Sequence, residues 1–204
     1  MGNILLIDDR PIMAVNLAKE WALYYEKMWP NKIRPIFHVA TIYDKDAVPP
    51  DVTRVQDLVN KKLSEINKIE RKDYFEIINL QETEYTKRIN ELESKVNAII
   101  DKIAGTSSFL MALDLHLFQS DSTKVQRGET ISSMFVYKKA IDMGKRVMLY
   151  TSFWDENQLA SYWKTAYETN WGQLNAFIYA RESALNYDVM VSSAKQLLNE
   201  VVDQ

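Results

Sequence analysis

The chain has no cysteine among its 204 residues. That excludes disulfides, thiolate metal sites and cysteine nucleophiles, so the fold has to stand on its own core. Glycine and proline are scarce, five of each, and no glycine-rich run of the kind that cradles a nucleotide phosphate occurs. Positive charge is not in excess: the formal net charge is −3, which leaves no electrostatic footprint for nucleic acid. No apolar run reaches the roughly 20 residues that span a bilayer, so no membrane association is expected. The first apolar run, Asn3 to Ile7, has no basic flank and ends in two aspartates, so it reads as a strand rather than a signal peptide. A cytoplasmic setting is expected.

Against these absences stand several strand-length apolar runs that end in oxygen-bearing side chains. Phe109 to Phe118 is such a run, with Asp114 inside it, and a carboxylate there is costly unless something at the sheet edge uses it. Asn3 to Ile7 runs into Asp8-Asp9, and Arg146 to Tyr150 runs into Thr151-Ser152. Buried strands that deliver acids and a hydroxyl to their C-terminal ends describe an open parallel α/β sheet, whose ligands sit at that edge. Ile36 to Ala40 and Leu174 to Ala180 supply two further strands, giving five. Helical patterns follow at Ile12 to Met28, entered through Arg10-Pro11, at Glu129 to Met143, ended by Gly144, at Trp154 to Thr169 and at Ser183 to Val202. Gln119 to Gly128 reads as a polar loop. His38 reads as a core or strand-face histidine and His116 as an exposed neighbour of Asp114. Asp8 and Asp9 have a second reading, as caps of the helix that follows them, and so do Thr151-Ser152; capping does not explain Asp114.

Residues 51–104 contain neither glycine nor proline and favour helix throughout. Tyr85, Ile89, Leu92, Val96, Ile99 and Ile103 step by four and three, a coiled-coil seam. Val52, Val55, Val59, Ile66 and Ile69 keep a similar seam, interrupted by Lys62. The two are offset by two residues, which is neither of the usual coiled-coil insertions. The offset predicts a reversal near Arg71 to Tyr74, hence an antiparallel helical hairpin. The return arm is the longer, so its end, about Glu93 to Ile103, is expected on the sheet. Residues 51–92 would then project from a single domain spanning 1–204.

The runs Ile4 to Pro11, Leu110 to Leu117 and Val147 to Ser152 together resemble the receiver domain of two-component response regulators. The resemblance implies a flavodoxin-like, doubly wound, five-stranded parallel sheet, with the hairpin inserted in its second crossover. It implies Mg²⁺ held by Asp8, Asp9, Asp114 and the main-chain carbonyl of His116. Asp114 would accept a phosphoryl group from a histidine kinase or phosphotransfer protein, and Thr151 would hydrogen-bond it. The family's lysine after the fifth strand is absent, and Arg181 is the candidate to stand in for it, although the two are not equivalent where geometry counts. Three carboxylates brought to about 4–5 Å repel by roughly 3–4 kcal/mol per pair at an effective dielectric near 20, which a cation relieves. The expected role is a stand-alone, non-enzymatic signalling protein whose output is contact between the hairpin and a downstream protein, with a homodimer through the seam as the other arrangement. The alternatives are a degenerate receiver acting as a phosphorylation-independent scaffold and, less favoured, a phosphatase-like enzyme of another doubly wound family. The last wants two aspartates separated by one residue, and Asp8 and Asp9 are adjacent.

Overall fold

Asn3–Asp8 forms β1 and is buried at every position, as a parallel strand covered on both faces must be. The computed structural model describes residues 2–44, 51–68, 74–80, 84–104, 109–151 and 177–180. After β1 come α1 (Pro11–Met28), β2 (Ile36–Asp44), α2 (Val52–Asn67), β3 (Phe75–Leu80), α3 (Tyr85–Ala104), β4 (Phe109–Asp114), α4 (Gln119–Gln126), α5 (Ser132–Asp142), β5 (Arg146–Thr151) and β6 (Phe177–Ala180). The strands build one sheet in the order β3-β2-β1-β4-β5-β6, and every neighbouring pair is parallel. The fold is α/β and doubly wound, with the five expected strands in the flavodoxin-like order and a sixth, β3, added beside β2.

Strand alternation divides the core in two. Leu5, Ile7, Ile42, Met111, Leu113, Val147 and Leu149 face one way, where they meet α3 and α5. Ile4, Leu6, Phe37, Val39, Leu110, Ala112, Met148 and Tyr150 face the other, beneath α1 and α2. The strand order reverses between β1 and β4, which opens a crevice at their C-terminal ends.

The helical hairpin is corrected. Its expected turn is followed by β3, which pairs with β2 from Val39↔Phe75 to Asp44↔Leu80. The two seams are two ordinary crossover helices that bury their apolar stripes on opposite faces of the sheet. Val59 and Leu63 of α2 lie in the α1 layer, and Leu92, Val96, Ile99 and Ile100 of α3 lie in the α5 layer. The two-residue offset between the seams is therefore the passage of the chain through the sheet. Asn67 fastens the end of α2 to β2, accepting from Phe37 N–H and donating to Phe37 C=O at 2.9 Å each. The output and homodimer contacts expected of a projecting arm lose their instrument with it.

Two smaller corrections bear on the site. β4 ends at Asp114 rather than running on to Phe118, so His116 sits on the connection to α4. That connection leads into a helix where a polar loop was expected. Asp121 builds it: its buried carboxylate accepts from Leu117 N–H at 3.2 Å, Phe118 N–H at 3.0 Å and Ser132 N–H at 3.1 Å, and from the Ser132 hydroxyl. Burial pushes the Asp121 carboxyl above its ordinary pKa, against the pull of those hydrogen bonds. Gly144 takes a positive φ just beyond α5, the C-terminal stop expected of it. The helices expected at 154–169 and 183–202 lie outside the described residues.

Candidate functional site

The site is a row across four strands. Asp8 pairs with Thr41 of β2, Ile7 pairs with Leu113 of β4, and Asp114 pairs with Tyr150 of β5. Thr41, Asp8, Asp114 and Tyr150 thus stand side by side at the C-terminal rim, on the face covered by α1. Adjacent strands are about 4.8 Å apart, so carboxylates placed in one row must approach to that distance. They do: one oxygen each from Asp8, Asp9 and Asp114 lie within 4.8 Å of one another.

Asp8 is fully buried and Asp114 is 3% exposed. Asp9, on the turn into α1, keeps its side chain 39% exposed, so the cluster opens to solvent on one side. Asp8 is held from several directions. Its Oδ1 accepts from Arg10 N–H at 2.7 Å and its Oδ2 from the Tyr150 hydroxyl at 2.8 Å. Its main-chain carbonyl accepts from the Thr41 hydroxyl at 2.8 Å. Arg10 is the N-cap residue of α1, so neither aspartate is the cap. Asp8 instead clamps the turn that leads into the helix. Arg10 Nε lies 3.6 Å from Asp9 Oδ1 and offsets part of the cluster's charge.

At 4.8 Å each pair of ionised carboxylates repels by roughly 3–4 kcal/mol at an effective dielectric near 20. The effect reaches the neighbouring strand. Burial pushes the Tyr43 phenol above its ordinary pKa, its hydrogen bond with Thr41 opposes that, and the charges of Asp9 and Asp8 push it further up. The donor set is oxygen only, the preference of Mg²⁺, Ca²⁺ or Mn²⁺. Each carboxylate oxygen offers about two lone-pair positions, so the bonds to Asp8 still leave it able to ligate.

Of the site residues expected from sequence, Asp8, Asp9 and Asp114 come together. His116 is half-buried rather than exposed, and its N–H approaches Asp114 Oδ1 at 3.4 Å. Burial drives its imidazole pKa down to about 4, so the ring is neutral at pH 7. Thr151 ends β5 beside Ala180, and its side chain lies outside the described residues, as do Ser152 and Arg181. His38, expected in the core or on a strand face, is buried, with Nε2 2.9 Å from Asn3 Oδ1. Tyr150 and Thr41, which hold Asp8, were not singled out in the sequence. Their signal is their place in strands whose neighbours bear the acids, readable only once the sheet order is known. No protein-family model matches the chain, and no curated protein matches it. No helix among the described residues is long and apolar enough to cross a membrane.

Proposed function

We propose that this chain is a receiver-like signalling protein that holds Mg²⁺ between Asp8, Asp9 and Asp114 and accepts a phosphoryl group on Asp114. The observation that carries the reading is the convergence of three carboxylates at the reversal of strand order. A six-stranded order of β3-β2-β1-β4-β5-β6 also serves dinucleotide binding, but that use needs a glycine-rich first turn. Here the turn reads Asp8-Asp9-Arg10-Pro11, and a pyrophosphate would meet like charge.

A histidine kinase or phosphotransfer protein would supply the phosphoryl group as phosphohistidine. An Asp114 carboxylate oxygen attacks phosphorus, the P–N bond breaks, and its electron pair returns to the imidazole, which takes a proton. The products are an acyl phosphate and a free histidine. Bound Mg²⁺ supplies the positive charge that lets a dianionic phosphoryl group approach three carboxylates. Asp8, clamped by Arg10 N–H and Tyr150, and Asp9, open to solvent, would hold the cation together with Asp114. The His116 carbonyl is the further ligand, Thr151 the hydroxyl that would bond the phosphoryl group, and Arg181 the cation that would face it.

A second reading is a scaffold without the switch. It is favoured by the two hydrogen bonds that Asp8 already accepts from its own fold, which give that aspartate a structural use. Incubation with acetyl phosphate and Mg²⁺, followed by intact-mass measurement, separates the two. Gain of one phosphoryl group by the wild type and none by Asp114→Ala supports the switch. No gain by either supports the scaffold.

A further inference from the structure

Away from the acidic rim, α1 and α2 lie side by side on one face of the sheet and enclose a groove of ≈ 320 Å³. Its lining reaches Ile66 and Lys68 at the C-terminal end of α2, which places that end toward the N-terminal edge of the parallel sheet. The groove carries four cationic side chains, Lys19, Arg34, Lys62 and Lys68, against two carboxylates, Glu26 and Glu65. Arg34 and Lys68 share Glu26, at 2.8 and 3.0 Å. Lys19, on α1, and Lys62, on α2, have no ion-pair partner among the described residues. A chain of net charge −3 thus presents a locally cationic groove.

The apolar part of the groove is as distinctive as its charge. Leu23 on α1, in the lining, is 49% exposed, and Leu58 on α2, outside the lining but one turn from Lys62, is 44% exposed. Leu58, Lys62 and Glu65 share one stripe of α2 by their spacing. Each of the two lysines therefore has an exposed leucine one helical turn away. A small anion would meet the lysines and leave the leucines in water. An amphipathic segment uses both, its apolar face entering the groove and its flanking acids reaching the lysines.

We infer that the α1–α2 groove is a docking surface for an acidic amphipathic helical segment of a partner protein. It is independent of the carboxylate cluster, since none of its residues belongs to that cluster.

The test uses a fluorescein-labelled peptide of about 16 residues with leucines at helical i, i+3, i+4, i+7 spacing and glutamates on the flanking positions. Fluorescence anisotropy with the full chain is expected to show saturable binding that weakens as salt rises. Binding should weaken roughly tenfold or more in Lys19→Glu/Lys62→Glu, as close interfacial charge pairs warrant. The milder Lys19→Gln/Lys62→Gln should fall between, which guards against a folding defect. Amide shifts on titration should cluster at Lys19, Leu23 and Lys62. Four outcomes each overturn the inference: no saturable binding up to about 1 mM, equal binding by a peptide with lysines for glutamates, full binding by the double-glutamate variant, or a dimer in sedimentation that Leu23→Glu dissociates, which would assign the groove to a second copy.

Discussion

Asp8 is held by the protein before any cation arrives. Tyr150 donates to one of its oxygens and Arg10 N–H to the other, and the residue is fully buried. Tyr150→Phe leaves that buried oxygen short of a donor, and a loss of about 1–2 kcal/mol in urea unfolding is expected. His116 gives a pH dependence. Its folded pKa near 4 lies below the ordinary 6.5, so the unfolded chain binds more protons between those values. The contribution is complete above about 6.5 and is lost as pH falls toward 4. Urea midpoints measured in EDTA should therefore drop across that window for wild type, and His116→Gln should flatten the slope. A slope unchanged in the variant would assign the dependence to another group.

At the scale of the element, β3 decides whether residues 51–104 are an arm or part of the sheet. Its alternation serves both cores, with Phe75 and Ile77 facing the α1–α2 layer and Ile78 and Leu80 facing the α3–α5 layer. Native-state hydrogen exchange should find slowly exchanging amides in β3, whereas a hairpin turn would exchange within the fastest class. Ile78→Ala or Leu92→Ala should each cost about 2–4 kcal/mol, independently of protein concentration. A coiled-coil seam between two chains would make those losses depend on concentration. β1, β4 and β5 are legible in sequence because strands buried on both faces read as unbroken apolar runs. β3 is not, because Glu76 and Asn79 interrupt it and its flanks contain no glycine or proline to mark turns. α4 was hidden for a different reason: its N-cap is Phe118, a residue type that does not advertise a helix start, and Asp121 fixes that start by accepting from Leu117 and Phe118 N–H and, eleven residues on, from Ser132.

In the whole molecule, the oxygen-bearing residue types near the strand ends were readable, and their juxtaposition was not. Three acids near strand ends follow from Asp8, Asp9 and Asp114 alone, but the row that Asp8 and Asp114 share depends on β4 lying against β1, a consequence of sheet order. That order also places α1 and α2 on one face, so the acidic rim and the cationic groove occupy different parts of the same side of the sheet. A cation that binds only the folded chain adds RT ln(1 + [L]/Kd), about 1.4 kcal/mol at ten times Kd. Removing it with EDTA should lower the urea midpoint of wild type and leave Asp8→Asn unmoved by Mg²⁺. The most direct measurement is a calorimetric titration of the metal-free chain with Mg²⁺, repeated on Asp8→Asn, Asp9→Asn and Asp114→Asn. One site in the wild type, weakened at least about tenfold by each substitution, as loss of a charged ligand requires, is the result expected. No binding by the wild type, or a site that survives Asp114→Asn unchanged, would contradict a shared cation between β1 and β4.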